Sequence, residues 1–167
     1  MPASCLTHLE GSLSGLVYDA DVLQRVDPVD GKPLLARYDL GAVARTLTPD
    51  ALAGRRRGLG ESAAGARGSM WRWTELLPVR DAARIVTLGE GGTPLVAASR
   101  LGRHLGAPRL SLKAEGLNPT GSFKARGMAA AVSRAAELGA TALVAPSAGN
   151  AGGALAAYGA AAGLPVT

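Results

Sequence analysis

Residues 109–167 read RLSLKAEGLNPTGSFKARGMAAAVSRAAELGATALVAPSAGNAGGALAAYGAAAGLPVT, and this stretch decides the fold. Arg109 to Ala114 alternates apolar and polar side chains, the period of a strand with one covered face. Arg126 to Leu138 is an Ala-rich run of good helix formers. Thr141 to Ala145 (TALVA) reads as a buried strand and Ala151 to Ala162 as a second helix. Pro165-Val166-Thr167 looks like the start of a further strand. Strand, helix, strand, helix, strand at this spacing predicts an α/β domain, a parallel sheet with helices on both faces. The Ala- and Gly-rich helices have apolar residues on more than one side. The expectation is therefore the front part of a larger, truncated domain.

Working outward, Leu101 to Leu105 fits a short helix. Trp71, Trp73, Leu76 and Leu77 form an apolar cluster expected to lie across the main domain. Residues 1–40 read as short β-like pieces with turns, Leu16 to Tyr18 and Leu34 to Leu40 among them. Residues 41–53 suggest one short helix, followed by a linker to about Ser69. The division expected is a 1–40 module, a 41–84 helix and linker, and an 85–167 front part of the main domain. The chain has 167 residues, 47% of them apolar and 19% charged, which suffices for a buried core.

The net charge of +5 is uneven, with Arg55-Arg56-Arg57 inside GRRRGLGESAAGARGS. A nucleic-acid patch would interleave aromatic residues for base stacking, and none are present, so a solvated linker is the reading and no nucleic-acid partner is expected. Cys5 is the one cysteine, which excludes an internal disulfide framework and points to a reducing compartment. MPASCLTHLEGS lacks the basic start and apolar run of a secretory leader, so a cytoplasmic location is expected. The longest uncharged stretch, from Leu138 onward, is broken by Gly and Pro, and no membrane span is expected.

Two segments can carry chemistry. In Gly116-Leu117-Asn118-Pro119-Thr120-Gly121-Ser122-Phe123-Lys124-Ala125-Arg126-Gly127, Asn-Pro-Thr-Gly is a turn signal and Ser122 a candidate helix cap. Lys124 would then stand in the first helical turn at the carboxyl end of a strand, where open α/β sheets bind ligands. A lysine desolvated there can form a Schiff base with an aldehyde cofactor. In Pro146-Ser147-Ala148-Gly149-Asn150-Ala151-Gly152-Gly153, small residues open a helix whose N-terminus favours anions such as a carboxylate. Alone, that loop reads equally well as tight helix–sheet packing.

Together with Leu88-Gly89-Glu90-Gly91-Gly92-Thr93-Pro94-Leu95, these segments resemble threonine synthases, pyridoxal-phosphate enzymes of the tryptophan-synthase-like fold. The resemblance implies that Lys124 holds the cofactor and that Asn150 hydrogen-bonds its ring hydroxyl. It implies that Ser122 and Phe123 frame the ring, and that Ser147, Ala148 and Gly149 lie against the substrate carboxylate. Thr93-Pro94 is read as structural. The implied reaction converts O-phospho-L-homoserine and water to L-threonine and phosphate, in a protein that is homodimeric at full length. Another enzyme of the same fold, threonine dehydratase or cysteate synthase, is the alternative, as is a non-catalytic relative. The resemblance places the cofactor-phosphate loop later than Thr167, which implies that residues 1–167 alone do not turn over substrate.

Some threonine synthases begin with a zinc-ribbon-like module carrying two C-x2-C pairs. The equivalent positions here are Gly11, Ser14, Asp27 and Asp30, each pair followed by a glycine, Gly15 and Gly31. A glycine, a hydroxyl and two carboxylates make a poor zinc set, so a metal-free module is expected. Leu16, Val17, Tyr18, Leu34, Leu35 and Tyr38 are expected to hold it by packing, with His8 outside any metal set.

Overall fold

Trp71 is the largest side chain the fold buries, and the core assembles around it. The computed structural model describes residues 4–58 and 69–167. Met70, Trp71 and Val79 come from residues 70–79; Ala125, Ala129 and Val132 come from helix α4 (Lys124–Glu137). Leu155 and Tyr158 come from helix α5 (Asn150–Ala162). The expected crossing segment is thus present as a 3₁₀ turn, Met70–Leu76, although Leu76 itself stays exposed. Burying two Trp/Tyr rings between Ala-rich helices compensates for their lack of large aliphatic side chains.

At the centre of this core sits a carboxylate. Glu90 has no exposed surface and accepts from Trp71 Nε1 at 2.7 Å and Tyr158 Oη at 2.6 Å. It also accepts from Thr87 Oγ1 at 3.0 Å and the Leu88 amide at 3.1 Å. A buried carboxylate without such donors would cost several kcal/mol. Burial and the neighbouring negative charge hold the Tyr158 phenol protonated well beyond its usual range.

Two small antiparallel sheets replace the single parallel sheet expected. The first has the order β2-β1-β3, with β1 Leu6–Gly11, β2 Val17–Tyr18 and β3 Leu34–Tyr38. The second pairs β4 (Leu95–Ala97) with β5 (Ser111–Lys113), Val96 opposite Leu112. Helix α3 (Ser99–His104) and its turn bring the chain back alongside the strand it left, so RLSLKA pairs with its own neighbour. Parallel pairing survives as one bridge, Leu143 with Val166, in which the Leu143 amide donates to Pro165 O at 2.9 Å and Thr167 N to Leu143 O at 3.0 Å. Ala145 N adds a bond to Thr167 O at 3.2 Å, and Pro165 offers no amide donor to the residues before Leu143. Helices α4 and α5 form at the positions expected and pack on each other.

The region between the sheets also differs from expectation. Two helices occupy it, α1 (Leu40–Thr46), capped by Asp39 accepting from the Ala42 amide, and α2 (Pro49–Gly58). Arg55 is not a solvated linker residue. It grips the buried Glu75 with two hydrogen bonds of 2.6 and 2.8 Å and donates to Arg72 O. The pattern missed this because a single long-range ion pair leaves no periodicity. Residues 59–68 of the expected linker lie outside the described residues. Among the described residues, no helix is long and apolar enough to cross a membrane.

The amino-terminal sheet is held together differently from expected. Leu16, Val17 and Leu35 are exposed rather than packed. The buried centre is Asp27, which accepts from Ser14 Oγ, from Tyr18 Oη at 2.7 Å and from the Val29 amide at 2.8 Å. Those donors hold its carboxyl below the usual carboxylate range. Both turns have matching geometry: Gly15 N donates to Gly11 O at 2.9 Å and Gly31 N to Asp27 O at 2.8 Å, with φ of 69° and 71°. Gly11 must be glycine, because a Cβ there would lie 2.0 Å from Asp27 Oδ2. The module docks on α4 through Arg134, which donates to Ala20 O at 2.8 Å and pairs with Asp21.

Tyr158→Phe leaves one Glu90 lone pair without its donor, at a cost of about 2 kcal/mol. Urea unfolding of the substituted and parent proteins measures this directly. A depressed Asp27 pKa stabilises the folded module above the ordinary aspartate range and less as pH falls through its folded value. Asp27→Asn should therefore flatten the acid limb of the thermal midpoint against pH.

Candidate functional site

The turn that precedes α4 is built on Asn118, which is buried. Its Oδ1 accepts from the Gly91 amide at 3.0 Å, and its Nδ2 donates to Glu115 O and Glu115 Oε2, both at 2.9 Å. Gly121 N closes the turn onto Asn118 O at 3.0 Å. Between them Pro119 sets one φ, and Thr120 takes φ 65°, ψ 13°. Thr120 is the one non-glycine residue with positive φ among the described residues. The position after a turn proline usually holds Gly or Asn when φ is positive, and a β-branched residue there is strained by roughly 1 kcal/mol or more.

Charge braces this turn. Glu115 accepts from Arg126 Nε and Nη2, both at 2.8 Å, and from Thr93 Oγ1 at 2.5 Å. Lys113 Nζ donates to Thr93 Oγ1 at 2.6 Å. The Arg126 guanidinium, then Thr93 and Asn118, hold the Glu115 carboxyl down to about 2. Thr93 thus ties β4, β5 and α4 together, which is a structural part.

Lys124 opens α4, where its amide donates to Ser122 Oγ at 3.3 Å. Ser122 is buried and spends its hydroxyl on the backbone, while the formal helix cap falls on Phe123. The Phe123 ring is 57% exposed, and the Lys124 ammonium lies 4.7 Å from its centroid. Among the described residues that half-buried ammonium has no ion pair and no hydrogen bond.

The second segment is equally exposed. Ser147 Oγ accepts from the Gly149 and Gly152 amides, both at 3.3 Å, which curls the loop over the start of α5. Gly152 is required by close approach, since a Cβ there would sit 2.1 Å from Ser147 O. Ser147, Ala148, Gly149 and Asn150 all face outward, and the Asn150 amide has no partner among the described residues. Helix α5 rests on the Pro119–Gly121 turn and on α4, so the fold brings the two segments onto adjoining elements. Sequence reading missed the bracing by Glu115, Arg126 and the Asn118 side chain, and the core role of Glu90. The signal available was three charges, Lys113, Glu115 and Arg126, closely flanking a turn otherwise made of small residues.

The sequence model of the family described as pyridoxal-phosphate dependent enzyme matches residues 86–167. The chain is also 50% identical over 98 residues to threonine synthase of Methanosarcina acetivorans, covering 59% of this chain and 24% of that protein. Threonine synthase of Methanocaldococcus jannaschii is 51% identical over 94 residues, 56% of this chain and 23% of its own. That of Mycobacterium leprae is 50% identical over 97 residues, 58% and 27% of the two chains. The matched stretch spans about a quarter of the length of these relatives.

The residues present fit the cofactor of a pyridoxal-phosphate-dependent family. Its aldehyde needs an uncommitted amine and its ring hydroxyl an uncommitted hydrogen-bond donor, and Lys124 and Asn150 offer both on adjoining elements. Because the folded Glu115 carboxyl titrates at about 2, its stabilising effect is complete above the unfolded value near 4.5 and lost as pH falls through 2. The midpoint difference between the parent protein and Glu115→Gln should therefore be largest above pH 4.5 and close toward pH 2 in thermal melts.

Proposed function

We propose that this protein acts as a threonine synthase, a pyridoxal-phosphate-dependent lyase that converts O-phospho-L-homoserine and water to L-threonine and phosphate. The observation that carries the reading is the uncommitted Lys124 amine at the head of α4, inside a stretch about half identical to threonine synthases. Pyridoxal 5'-phosphate supplies the electron sink for negative charge at the substrate α-carbon. Lys124 Nζ holds the cofactor covalently and, once the substrate amine displaces it, takes and returns protons at substrate carbons as a general base. Asn150 orients the ring through its hydroxyl. The exposed Ser147–Gly149 loop, curled by the Ser147 hydroxyl as it accepts from the Gly149 and Gly152 amides, lies at the α5 N-terminus, an end that favours the substrate carboxylate. The exposed Phe123 ring and the buried Ser122 frame the site beside Lys124 Nζ.

The same reading divides the chain into a 1–40 module, a 41–84 connector and an 85–167 part of the catalytic domain. A homodimer and a cytoplasmic location follow from the resemblance to threonine synthases. We read the amino-terminal module as metal-free, because Ser14, Tyr18 and Asp27 satisfy one another where thiolates would converge.

Two measurements test these statements. In the whole protein that carries this sequence, Lys124→Ala should abolish both the borohydride-trapped cofactor adduct and threonine formation, and Asn150→Ala should weaken cofactor affinity about tenfold. A trapped adduct that persists in Lys124→Ala would refute the lysine assignment. Metal analysis should find no zinc; one tightly held zinc per chain would refute the metal-free reading.

A further inference from the structure

The strained turn ahead of Lys124 is the feature that packing leaves unexplained. Thr120 sits at φ 65°, ψ 13°, in a position that Gly or Asn would occupy without strain. Its side chain is exposed, so it fills no core space. Its hydroxyl has no hydrogen-bond partner among the described residues, so it caps nothing and braces nothing. The surroundings, by contrast, are over-determined. Asn118 is fixed by three hydrogen bonds, Glu115 by Arg126 and Thr93, and Gly121 N by Asn118 O. A rigid bracket holding an outward-facing, strained, polar residue is the arrangement found where strain serves a ligand rather than the fold.

We propose that Thr120 is a ligand-contacting residue whose hydroxyl donates a hydrogen bond to an anionic oxygen of the bound cofactor or amino-acid phosphate. The turn touches α5, which carries Asn150, and Lys124 lies four residues further along the chain. Lys113, Lys124 and Arg126 outnumber the carboxylates Glu90 and Glu115 in the segments around the turn, which favours an anion there. Both the cofactor and the substrate offer phosphate oxygens, so the source is left to the two arms of the test. The proposal rests on the assignment of Lys124 as the cofactor lysine.

The test uses the whole protein that carries this sequence, with three substitutions. Thr120→Asn removes the hydroxyl and relieves the strain; Thr120→Val removes the hydroxyl and keeps the branched shape; Thr120→Ser keeps the hydroxyl. Three quantities are read for each: thermal midpoint without cofactor, cofactor dissociation constant by absorbance titration, and substrate KM. Thr120→Asn should raise the midpoint by about 2–5 °C. Both Thr120→Asn and Thr120→Val should weaken one ligand by about tenfold or more. A change in cofactor affinity assigns the contact to the cofactor, and a change confined to KM assigns it to the substrate. Thr120→Ser should stay within about threefold of the parent on both arms.

If Thr120→Val matches the parent in both cofactor affinity and KM, the hydroxyl contacts neither and the proposal is overturned. The Val and Ser pair decides this even if Thr120→Asn fails to fold. Mapping the borohydride-trapped peptide in the unsubstituted protein separates the two hypotheses. An adduct away from Lys124 would refute the lysine assignment, whereas the affinities report on Thr120 alone.

Discussion

Burying a carboxylate in an otherwise apolar core is possible only if every donor it needs arrives at once. Glu90 imposes that condition here. Trp71, Tyr158, Thr87 and the Leu88 amide come from three stretches far apart in sequence, and all four must converge for the charge to be tolerated. Helix α5 is therefore positioned by Tyr158 as much as by its small apolar residues. Those residues give shape without much directional preference, since alanine and glycine faces pack in many registers. A hydrogen-bonded tyrosine selects one.

From Glu90 the constraint passes directly to the functional turn. Met70 N donates to Glu90 O, and the next residue, Gly91, donates its amide to Asn118. Asn118 in turn meets Glu115, which Arg126 grips from the first turns of α4. A run of polar contacts thus links Tyr158 on α5 to Arg126, two residues beyond Lys124. This continuity explains how a turn containing a left-handed threonine keeps its shape. Local strain of about 1 kcal/mol persists when several hydrogen bonds, each worth a comparable amount, would be lost by relaxing it. Among the described residues, the Lys124 ammonium and the Asn150 side-chain amide make no hydrogen bond to this bracket.

The amino-terminal module shows a related economy. Its two turns, each closed by a glycine amide, face one another across Asp27. A carboxylate with three donors replaces packing that the exposed Leu16, Val17 and Leu35 do not supply. The close fit of Gly11 against Asp27 means that neither residue can change size without moving the other. Arg134 then fastens this module to the same helix that Lys124 begins.

Much of this was legible in one dimension. The positions of α4 and α5, the turn before Lys124 and the loop before Asn150 follow from local rules: Ala-rich runs favour helix, Asn-Pro-Thr-Gly breaks it, and small residues open a helix to ligand. Those rules act over a few residues, so sequence alone carries them. Strand partnership was not legible, because the period-2 pattern of Arg109 to Ala114 is the same whether its neighbour runs parallel or antiparallel. The short return through α3 decided that. The roles of Glu90, Glu115 and Arg55 were also hidden, since a buried ion pair or carboxylate joins residues 11 to 68 positions apart and leaves no local periodicity. Thr120 stands between the two cases: its identity is in the sequence, but only the closed turn around it forces a β-branched residue into the left-handed region.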